Sequence, residues 1–493
     1  MEYFKEEFST GYLDGGGHRA ISSQQTSLIV AILSVGTVFG ALGASAVADF
    51  LGRRWGLIFS CAIFNAGVAM QVGSYEQKLL IAGRAVAGFG VGLVSAIVPL
   101  YQSETAPKWI RGTIVGAYQW AITFGLFLAS CANQGTHERI DSGSYRIPLA
   151  IQFAWAIILS IGMYCLPETP RYLIKMKQYD AAKDALSRLR KLPETHTSLR
   201  AELDEIQASY EYEISLGKAR YVDCFKGNIG KRLVTGCILQ GLQQLTGINF
   251  IFYYGTYFFK RAGIDNPFVV TLITNIVNIF ATIPGLWLVE KAGRRNLLLG
   301  GAIGMTIADL IVGIVGVAAD GIAVNICLIV FVCVFICFFA ASWGPVAWVV
   351  TGEIFPLKVR AKALSMTTAT NWLLNFALSY CTPYLVDEGP GNAALGSSVF
   401  FIWGGFNAVA IVFVYLMIYE TKGLSLEEVD ELYYMQKCAW RSTKTVLPVP
   451  SGLSGSIGTK GEEELYEEKK EGEIPPPVVT TVGPEVDAAR PVK

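Results

Sequence analysis

Runs of about twenty apolar residues recur along this chain, separated by short polar stretches. Eleven are legible: 26–48, 55–73, 79–101, 112–133, 148–166, 233–257, 267–289, 297–319, 322–350, 363–386 and 398–419. About 20 apolar residues cross a bilayer as a helix, so the pattern predicts an all-α polytopic membrane protein of eleven spans. Glycine and proline inside the runs do not oppose this, because neighbouring helices re-satisfy freed backbone groups. Two stretches depart from the pattern. In 170–215, Leu173, Ile174, Ala181, Ala182, Ala185, Leu186 and Leu189, then Leu199, Leu203 and Ile206, recur at helical spacing in polar sequence, which predicts amphipathic helices. From Arg441 onward Gly, Ser, Pro and charge dominate, with glutamates at 462–464 and prolines at 475–477. That composition predicts a disordered tail.

Composition sharpens the class. Of 493 residues 52% are hydrophobic and 16% charged, against roughly 25% charged in an ordinary soluble protein. Lys plus Arg and Asp plus Glu both number 40. The balance offers nothing to a nucleic-acid partner. The charges cluster: 23 lie in 167–232 and 15 in 442–493. Ten cysteines show no metal-site or disulfide spacing, and read as small apolar residues. The three histidines, His18, His137 and His196, have no catalytic constellation around them, so no enzyme activity, cofactor or metal is expected.

Positive charge orients the spans. One set of short loops carries ten lysines and arginines: Arg53, Arg54, Lys108, Arg111, Lys291, Arg294, Arg295, Lys358, Arg360 and Lys362. The alternate set carries five: Lys78, Arg139, Arg146, Lys260 and Arg261. The first set is therefore cytoplasmic, together with 167–232 and the C-terminus. Eleven spans then put the N-terminus outside, although the first 24 residues are polar and contain no signal-peptide core.

The two halves repeat each other on the cytoplasmic side. Asp49-Phe-Leu-Gly-Arg-Arg54 recurs as Glu290-Lys-Ala-Gly-Arg-Arg295, an offset of 241. Glu104 to Arg111 recurs as Glu353 to Arg360, offset 249, and Glu168-Thr-Pro-Arg171 is echoed by Glu420-Thr-Lys-Gly423, offset 252. Parallel halves of this kind are a transporter plan. The second half begins with span 233–257, whose counterpart would overlap the polar start. On this reading the first half lacks its first helix, through a start at a downstream methionine, a truncation, or a natural eleven-span form. The expected organisation is a five-span bundle over 1–166, a cytoplasmic helical linker over 167–232, a six-span bundle over 233–420, a cytoplasmic helix over 421–440 and a tail over 441–493.

Glycines in the short loops suit tight turns, and arginines there act as topology signals. The acids beside them add something. Charges at a membrane edge are costly unless paired, and ion pairs joining two bundles can hold one conformation and part in another. Asp49, Arg53, Arg54, Glu104, Arg111, Glu168, Arg171, Glu290, Arg294, Arg295, Glu353 and Arg360 are therefore expected to form a cytoplasmic latch.

The sequence resembles the sugar porters of the major facilitator superfamily, and among them the fungal hexose transporters. The segments Ala48-Asp-Phe-Leu-Gly-Arg-Arg54, Pro167-Glu-Thr-Pro-Arg171, Gln243-Gln-Leu-Thr-Gly-Ile-Asn249 and Tyr419-Glu-Thr-Lys-Gly423 carry the resemblance, which runs from residue 1 to about 435. It implies the major facilitator fold of two helix bundles, a plasma-membrane location, and a monomer that moves a hexose, glucose foremost, with or without a proton. It also assigns roles to polar residues inside the spans. Gln119, Gln243, Gln244, Asn249, Asn278, Trp348 and Asn371 would bind the sugar, and Tyr253 with Tyr254 would close over it from outside. The plainer reading of such residues is glue between helices. Amides nonetheless suit a hexose, since they both donate and accept without charge. Gln243 and Asn249 lie six residues apart and would point about 120° away from each other on an ideal helix, so they meet one ligand only if the helix breaks at Thr246-Gly247. Arg84 matches the arginine that pairs, in proton-coupled sugar porters, with an acid on the first span. Gly83, Gly88, Gly90 and Gly92 read as close helix packing. Ala340 stands where some animal glucose transporters carry a glutamate, so sugar preference does not transfer from them. Two alternatives remain beside transport: a sugar sensor, and an incomplete, inactive product.

Overall fold

Each apolar run of the sequence becomes helix, and most helices extend about a turn into the flanking polar sequence. The structure, a computed structural model, describes residues 2–9, 21–215, 220–261, 267–318, 321–356, 358–386, 393–424, 426–436 and 438–444. The tail expected over 441–493 falls outside these residues beyond 444. A short α1 (Glu2–Phe8) precedes five long helices, α2 (Ser23–Phe50), α3 (Arg53–Val72), α4 (Gln77–Thr105), α5 (Arg111–Thr136) and α6 (Gly143–Cys165). Three polar helices follow, α7 (Pro170–Lys175), α8 (Tyr179–Arg190) and α9 (Thr197–Ser215). The second half comprises α10 (Gly227–Leu245), α11 (Ile248–Arg261), α12 (Pro267–Ala292), α13 (Arg294–Ala318), α14 (Ile322–Ala341), α15 (Trp343–Glu353), α16 (Arg360–Val386) and α17 (Val399–Met417). A last helix, α18 (Leu426–Met435), replaces the longer one expected over 421–440, and a 3-10 turn follows at Ala439–Lys444.

Local chemistry sets these ends. Ser22 and Gln25 cap α2 reciprocally: the Gln25 N–H donates to Ser22 Oγ at 3.3 Å and the Ser22 N–H to Gln25 Oε1 at 3.1 Å, satisfying two orphan amides. Thr169 caps α7, and Pro170 fits its first turn, where a missing N–H costs nothing. The run 322–350 is two helices rather than one. Ser342 leaves helical geometry at φ −131°, and α15 restarts with Pro345 in its first turn. A proline there removes no bond the new helix needs.

Nine described segments are long and apolar enough to cross a bilayer: α2 to α6, α12, α13, the α14–α15 pair, and α17 with the turn before it. Two runs predicted as spans fall outside that set for local reasons. The α10–α11 run is interrupted at Gly247. Helix α16 buries Thr368, Asn371, Asn375, Ser379 and Thr382, because it faces the other half of the protein: α2 packs along it. The second contact between halves places α5 on α12 and α15. Outer faces are apolar and open, with Ile158 and Ile161 of α6 and Val409 and Val412 of α17 more than half exposed, as lipid-facing surfaces are.

Small residues bring the first-half helices together. A Cβ on Gly36 of α2 would sit 2.2 Å from the Ala85 carbonyl of α4, and one on Gly88 of α4 would sit 2.1 Å from the Leu33 carbonyl of α2. The glycines at 83, 88, 90 and 92 all meet a neighbouring helix within 3 Å in this way. At the opposite end from the arginine motifs, Phe8 of α1 packs with Ile29, Leu80 and Tyr145. At the motif end, Arg190 of α8 grips Glu202 of α9 at 2.6 and 3.0 Å and donates to the Thr105 carbonyl that ends α4.

Candidate functional site

The seam between the halves holds a cavity of about 130 Å³. Its shape depends on the break between α10 and α11. Gly247 has φ +93°, and a Cβ there would lie 2.6 Å from the Trp403 ring of α17. Only glycine combines that backbone with that approach. The chain therefore turns at Thr246-Gly247, and Gln243 before the turn and Asn249 after it face the same space.

Six of the seven residues expected around a ligand line this cavity: Gln119 of α5, Gln243 and Gln244 of α10, Asn249 of α11, Trp348 of α15 and Asn371 of α16. The seventh, Asn278 of α12, is fully buried and is not on the wall; neither of its amide atoms has a hydrogen-bond partner among the described residues. Tyr253 of α11 lines the wall. The side chain of Tyr254 lies outside the described residues.

The amides bond to one another. Gln243 Nε2 donates to the carbonyls of Trp343 (3.0 Å) and Gly344 (3.1 Å), where α15 begins. Asn371 Nδ2 donates to Gln243 Oε1 at 2.8 Å and Gln240 Oε1 at 2.7 Å. Gln244 Nε2 donates to Asn371 Oδ1 at 2.9 Å, and Gln244 Oε1 accepts from Asn249 and from Asn375. Asn375 also donates to the Tyr253 hydroxyl at 3.3 Å and accepts from Ser34 of α2 at 2.7 Å. The last bond crosses the seam. Trp348 stands edge-on to Tyr118, ring centres 5.1 Å apart. No described lining residue is charged. The cavity thus offers neutral donors and acceptors plus aromatic faces, which suits an uncharged polyhydroxy ligand.

Sequence reading overlooked Gln240, Asn375, Tyr118 and Trp372 in this environment. Gln240 lies one turn before Gln243 and Asn375 one turn after Asn371, so i±3 and i±4 extension of the recognised positions would have found both. The aromatics carried no such signal.

At the motif end Glu290 pairs with Arg294 of its own motif at 3.0 Å. Further pairs run between motifs of the same half: Arg53 with Glu104 at 2.9 Å, and Arg294 with Glu353 at 2.8 Å. The reason is geometric. Arg53 and Arg294 open helices whose first turns are already taken. Glu168 accepts the N–H groups of Arg53 and Arg54 at 3.1 and 3.0 Å, and Glu420 accepts those of Arg294 and Arg295 at 2.9 and 3.1 Å. Carboxylates suit helix N-termini. Burial pushes the Glu168 carboxyl above the ordinary range, against the pull of those amides and of Arg53. Arg54 donates to the carbonyls of Met163 and Tyr164, Arg295 to that of Tyr415, and Arg360 to that of Phe355. Arg111 is buried, and Arg171 stands with Glu104 around a small polar hollow.

Asp49 makes an ionic contact between halves. It accepts from Lys175 at 2.8 Å and, across the seam, from Lys362 of α16 at 3.5 Å. On the other flank Glu290 Oε1 accepts the Thr113 N–H of α5 at 3.1 Å. Arg84 is half-buried in the second turn of α4, at the end of the bundle away from these motifs.

Two similar helical halves enclosing a neutral polar cavity at a broken helix define a membrane transporter of the major facilitator type. The chain belongs to the family described as Sugar (and other) transporter, which matches residues 1–433. It is 60% identical to the major facilitator-type transporter ecdD of Aspergillus rugulosus, covering 94% of this chain and 87% of that protein. It is 51% identical to the probable glucose transporter rco-3 of Neurospora crassa (90% and 76% covered). The high glucose sensor RGT2 of Saccharomyces cerevisiae is 46% identical over 84% of this chain and 55% of the sensor. Among solved structures, the proton:xylose symporter XylE bound to 6-bromo-6-deoxy-D-glucose superposes with TM-score 0.77 at 27% identity, covering 88% of this chain and 93% of XylE. Against an inward-open conformation of XylE from E. coli, with 83% and 89% covered at the same identity, the TM-score is 0.63.

Proposed function

We propose that this chain carries a hexose, glucose foremost, across the plasma membrane by alternating access. The observation that carries the reading is the uncharged amide and aromatic lining of the cavity at the helix break. A hexose presents about five hydroxyls, each a donor and an acceptor. Gln119, Gln243, Gln244, Asn249 and Asn371 would exchange bonds among themselves for bonds to those hydroxyls. Trp348 would take the C–H face of the ring. Asn278 would offer an amide without a partner to a sugar that reached it, and Tyr253 with Tyr254 would cover the outer side. The chain would cross eleven times, with 1–166 and 233–420 as the two moving bundles, 167–232 and the C-terminus in the cytoplasm, and the arginine motifs as the latch closed in this conformation. Arg84 would serve proton coupling, which the resemblance to a proton symporter supports. The identity to a glucose sensor favours a second reading, binding without transport.

Uptake of labelled glucose into cells lacking hexose carriers separates the two. Uptake by the full chain, with KM raised about tenfold or more by Gln243→Ala at unchanged surface level, is the expected result. Surface protein without uptake of any hexose sinks the transport reading. Unchanged uptake by the Gln243 variant returns that residue to a role between helices.

A further inference from the structure

Outside the cavity and the latch, one buried carboxyl has no part in anything described so far. Asp309 is 1% exposed. It lies fifteen residues along α13 from Arg294, about 22 Å up the helix at ~1.5 Å per residue. A charge at that depth is costly without a partner of opposite sign. None of the elements packed on α13 supplies one. Helices α14 and α17 contain no Asp, Glu, Lys, Arg or His; their titratable groups are Cys327, Cys333 and Cys337, and Tyr415. Glu290 and Lys291 of α12 and Glu353 of α15 sit at the motif end with Arg294 and Arg295.

The carboxyl is held by an amide that also holds the helix break. Asn407 of α17 donates one N–H to Asp309 Oδ2 at 2.7 Å and the other to the Thr246 carbonyl at 3.3 Å. Asn407 Oδ1 is buried without a donor among the described residues. Gly404 lies beside Asp309, where a Cβ would stand at an ordinary contact distance of 3.4 Å from Asp309 Cβ, and the adjoining Trp403 packs on Gly247. Asp309 is thus linked through one side chain to the turn that aims Gln243 and Asn249 into the cavity.

We propose that Asp309 is a proton-binding site whose occupancy sets the geometry of the α10–α11 break and so the affinity for sugar. The protonated carboxyl brings the one donor that Asn407 Oδ1 lacks. Acid and amide then pair in both directions, and the second Asn407 N–H stays on the Thr246 carbonyl. When the proton leaves to water, that donor is lost and a bare carboxylate remains in apolar surroundings. Asn407 must then answer the charge, and its hold on Thr246 slackens. The proposal rests on the hexose-transport reading for its ligand, and on α13 and α17 for its chemistry. It makes no use of Arg84.

The full chain and Asp309→Asn, the neutral isostere of the protonated acid, are reconstituted in liposomes with equal pH on both sides. Exchange of labelled for unlabelled glucose is measured from about pH 5 to about pH 8, well above the ordinary carboxylate range. The wild-type apparent affinity should fall as pH rises, by up to about tenfold per pH unit. Asp309→Asn should hold the acid-side affinity throughout. A variant profile that tracks the wild type overturns the proposal, as does a flat wild-type profile. Infrared spectra of the purified chain give an answer that needs no transport: a protonated-carboxyl stretch that titrates, and is missing from Asp309→Asn, supports the site. Its absence from the wild type overturns the site even where glucose exchanges. Its presence in a chain that exchanges no glucose leaves the proton site standing and sinks the hexose reading.

Discussion

The two halves build the same ionic unit at the motif end and finish it differently. Each has a glycine at positive φ, Gly52 at +86° and Gly293 at +85°. Each follows it with an arginine that bonds back to a carbonyl five residues earlier, Arg53 to Ala48 and Arg294 to Val289. In the second half Arg294 reaches Glu353 with two nitrogens, and Thr421 donates to the same carboxylate at 2.7 Å. In the first half Arg53 reaches Glu104 once, and Arg53 Nε and Glu104 Oε2 are buried without partners among the described residues. A small polar hollow lined by Arg171, Arg190 and Glu202 lies beside Glu104. Identical motif residues therefore make a saturated brace in one bundle and a joint with unused bonding capacity in the other. Rearrangement costs less where donors and acceptors are already unmet, so the first-half unit is the one expected to repack as the bundles rock.

The strongest way to break that comparison is to remove each arginine. Arg294→Ala leaves Glu353 and Glu290 without their cation and should destabilise the chain by about 3–5 kcal/mol, read as a lowered unfolding midpoint in detergent. Arg294→Lys should recover little, since a point ammonium cannot reproduce two parallel bonds. Arg53→Ala should cost about 1–3 kcal/mol, because it breaks one bond to Glu104 where Arg294 makes two to Glu353. Equal losses in the two halves would show that unused bonding capacity says nothing about strength.

The glycines should behave alike instead. A Cβ on Gly52 would stand 2.5 Å from Glu168 Oε2, and one on Gly293 would stand 2.4 Å from Glu420 Oε2. Gly52 pairs its φ with ψ 175°, a region open to glycine almost alone. Alanine at either position should cost about 1–3 kcal/mol and uncap the following helix. A tolerant Gly293 beside an intolerant Gly52 would mean that the halves share sequence without sharing backbone.

What was legible beforehand follows the same division between local and non-local causes. Spans, the halves and their repeat are written in apolar run length and motif spacing, so α2 to α6 and α12 to α17 fall where the runs predicted. The break at Gly247 was legible too, because Gln243 and Asn249 could share a ligand in no other way. Pair identity was not. Arg53 meets Glu104 rather than Asp49 because Glu168, 115 residues away, already occupies the start of α3, and no spacing in one chain reveals that. Asp309 passed unnoticed inside an apolar run, where a single acid barely alters the period. Only its contact with Asn407, 98 residues on, gives it meaning.

A smaller effect belongs to the capping acid of the first half. Burial raises the Glu168 carboxyl above its ordinary value. A raised carboxyl holds its proton longer in the folded chain than in the unfolded one. Its contribution to stability is therefore largest at acid pH and declines as pH rises from the ordinary glutamate value through the folded one. Unfolding midpoints across that window should fall with pH in the wild type and fall less in Glu168→Gln. Parallel curves would remove Glu168 from the account of pH dependence.

The least effect is expected from Asp49, whose partner across the seam is a lysine side chain where Glu290 takes a backbone amide. Its partners Lys175 and Lys362 are partly exposed, and the Lys362 contact is long at 3.5 Å. Exposed pairs of this kind are worth about 0–1 kcal/mol and weaken with salt. Lys362→Met should therefore leave the unfolding midpoint within error. It should still bias the two bundles, because that bond, unlike Arg53–Glu104, has its ends on different moving parts. A bias of about 0.5 kcal/mol is roughly a twofold change in the ratio of closed to open forms. The measurement is the rate at which a thiol reagent reaches a cysteine placed at Ser103, buried in the closed arrangement at the motif end of α4, in an otherwise cysteine-free chain. Lys362→Met should raise that rate about twofold at low salt and by less at high salt. If Arg53→Lys opens the seam more than Lys362→Met does, the joint within the first bundle controls access and the contact between bundles does not.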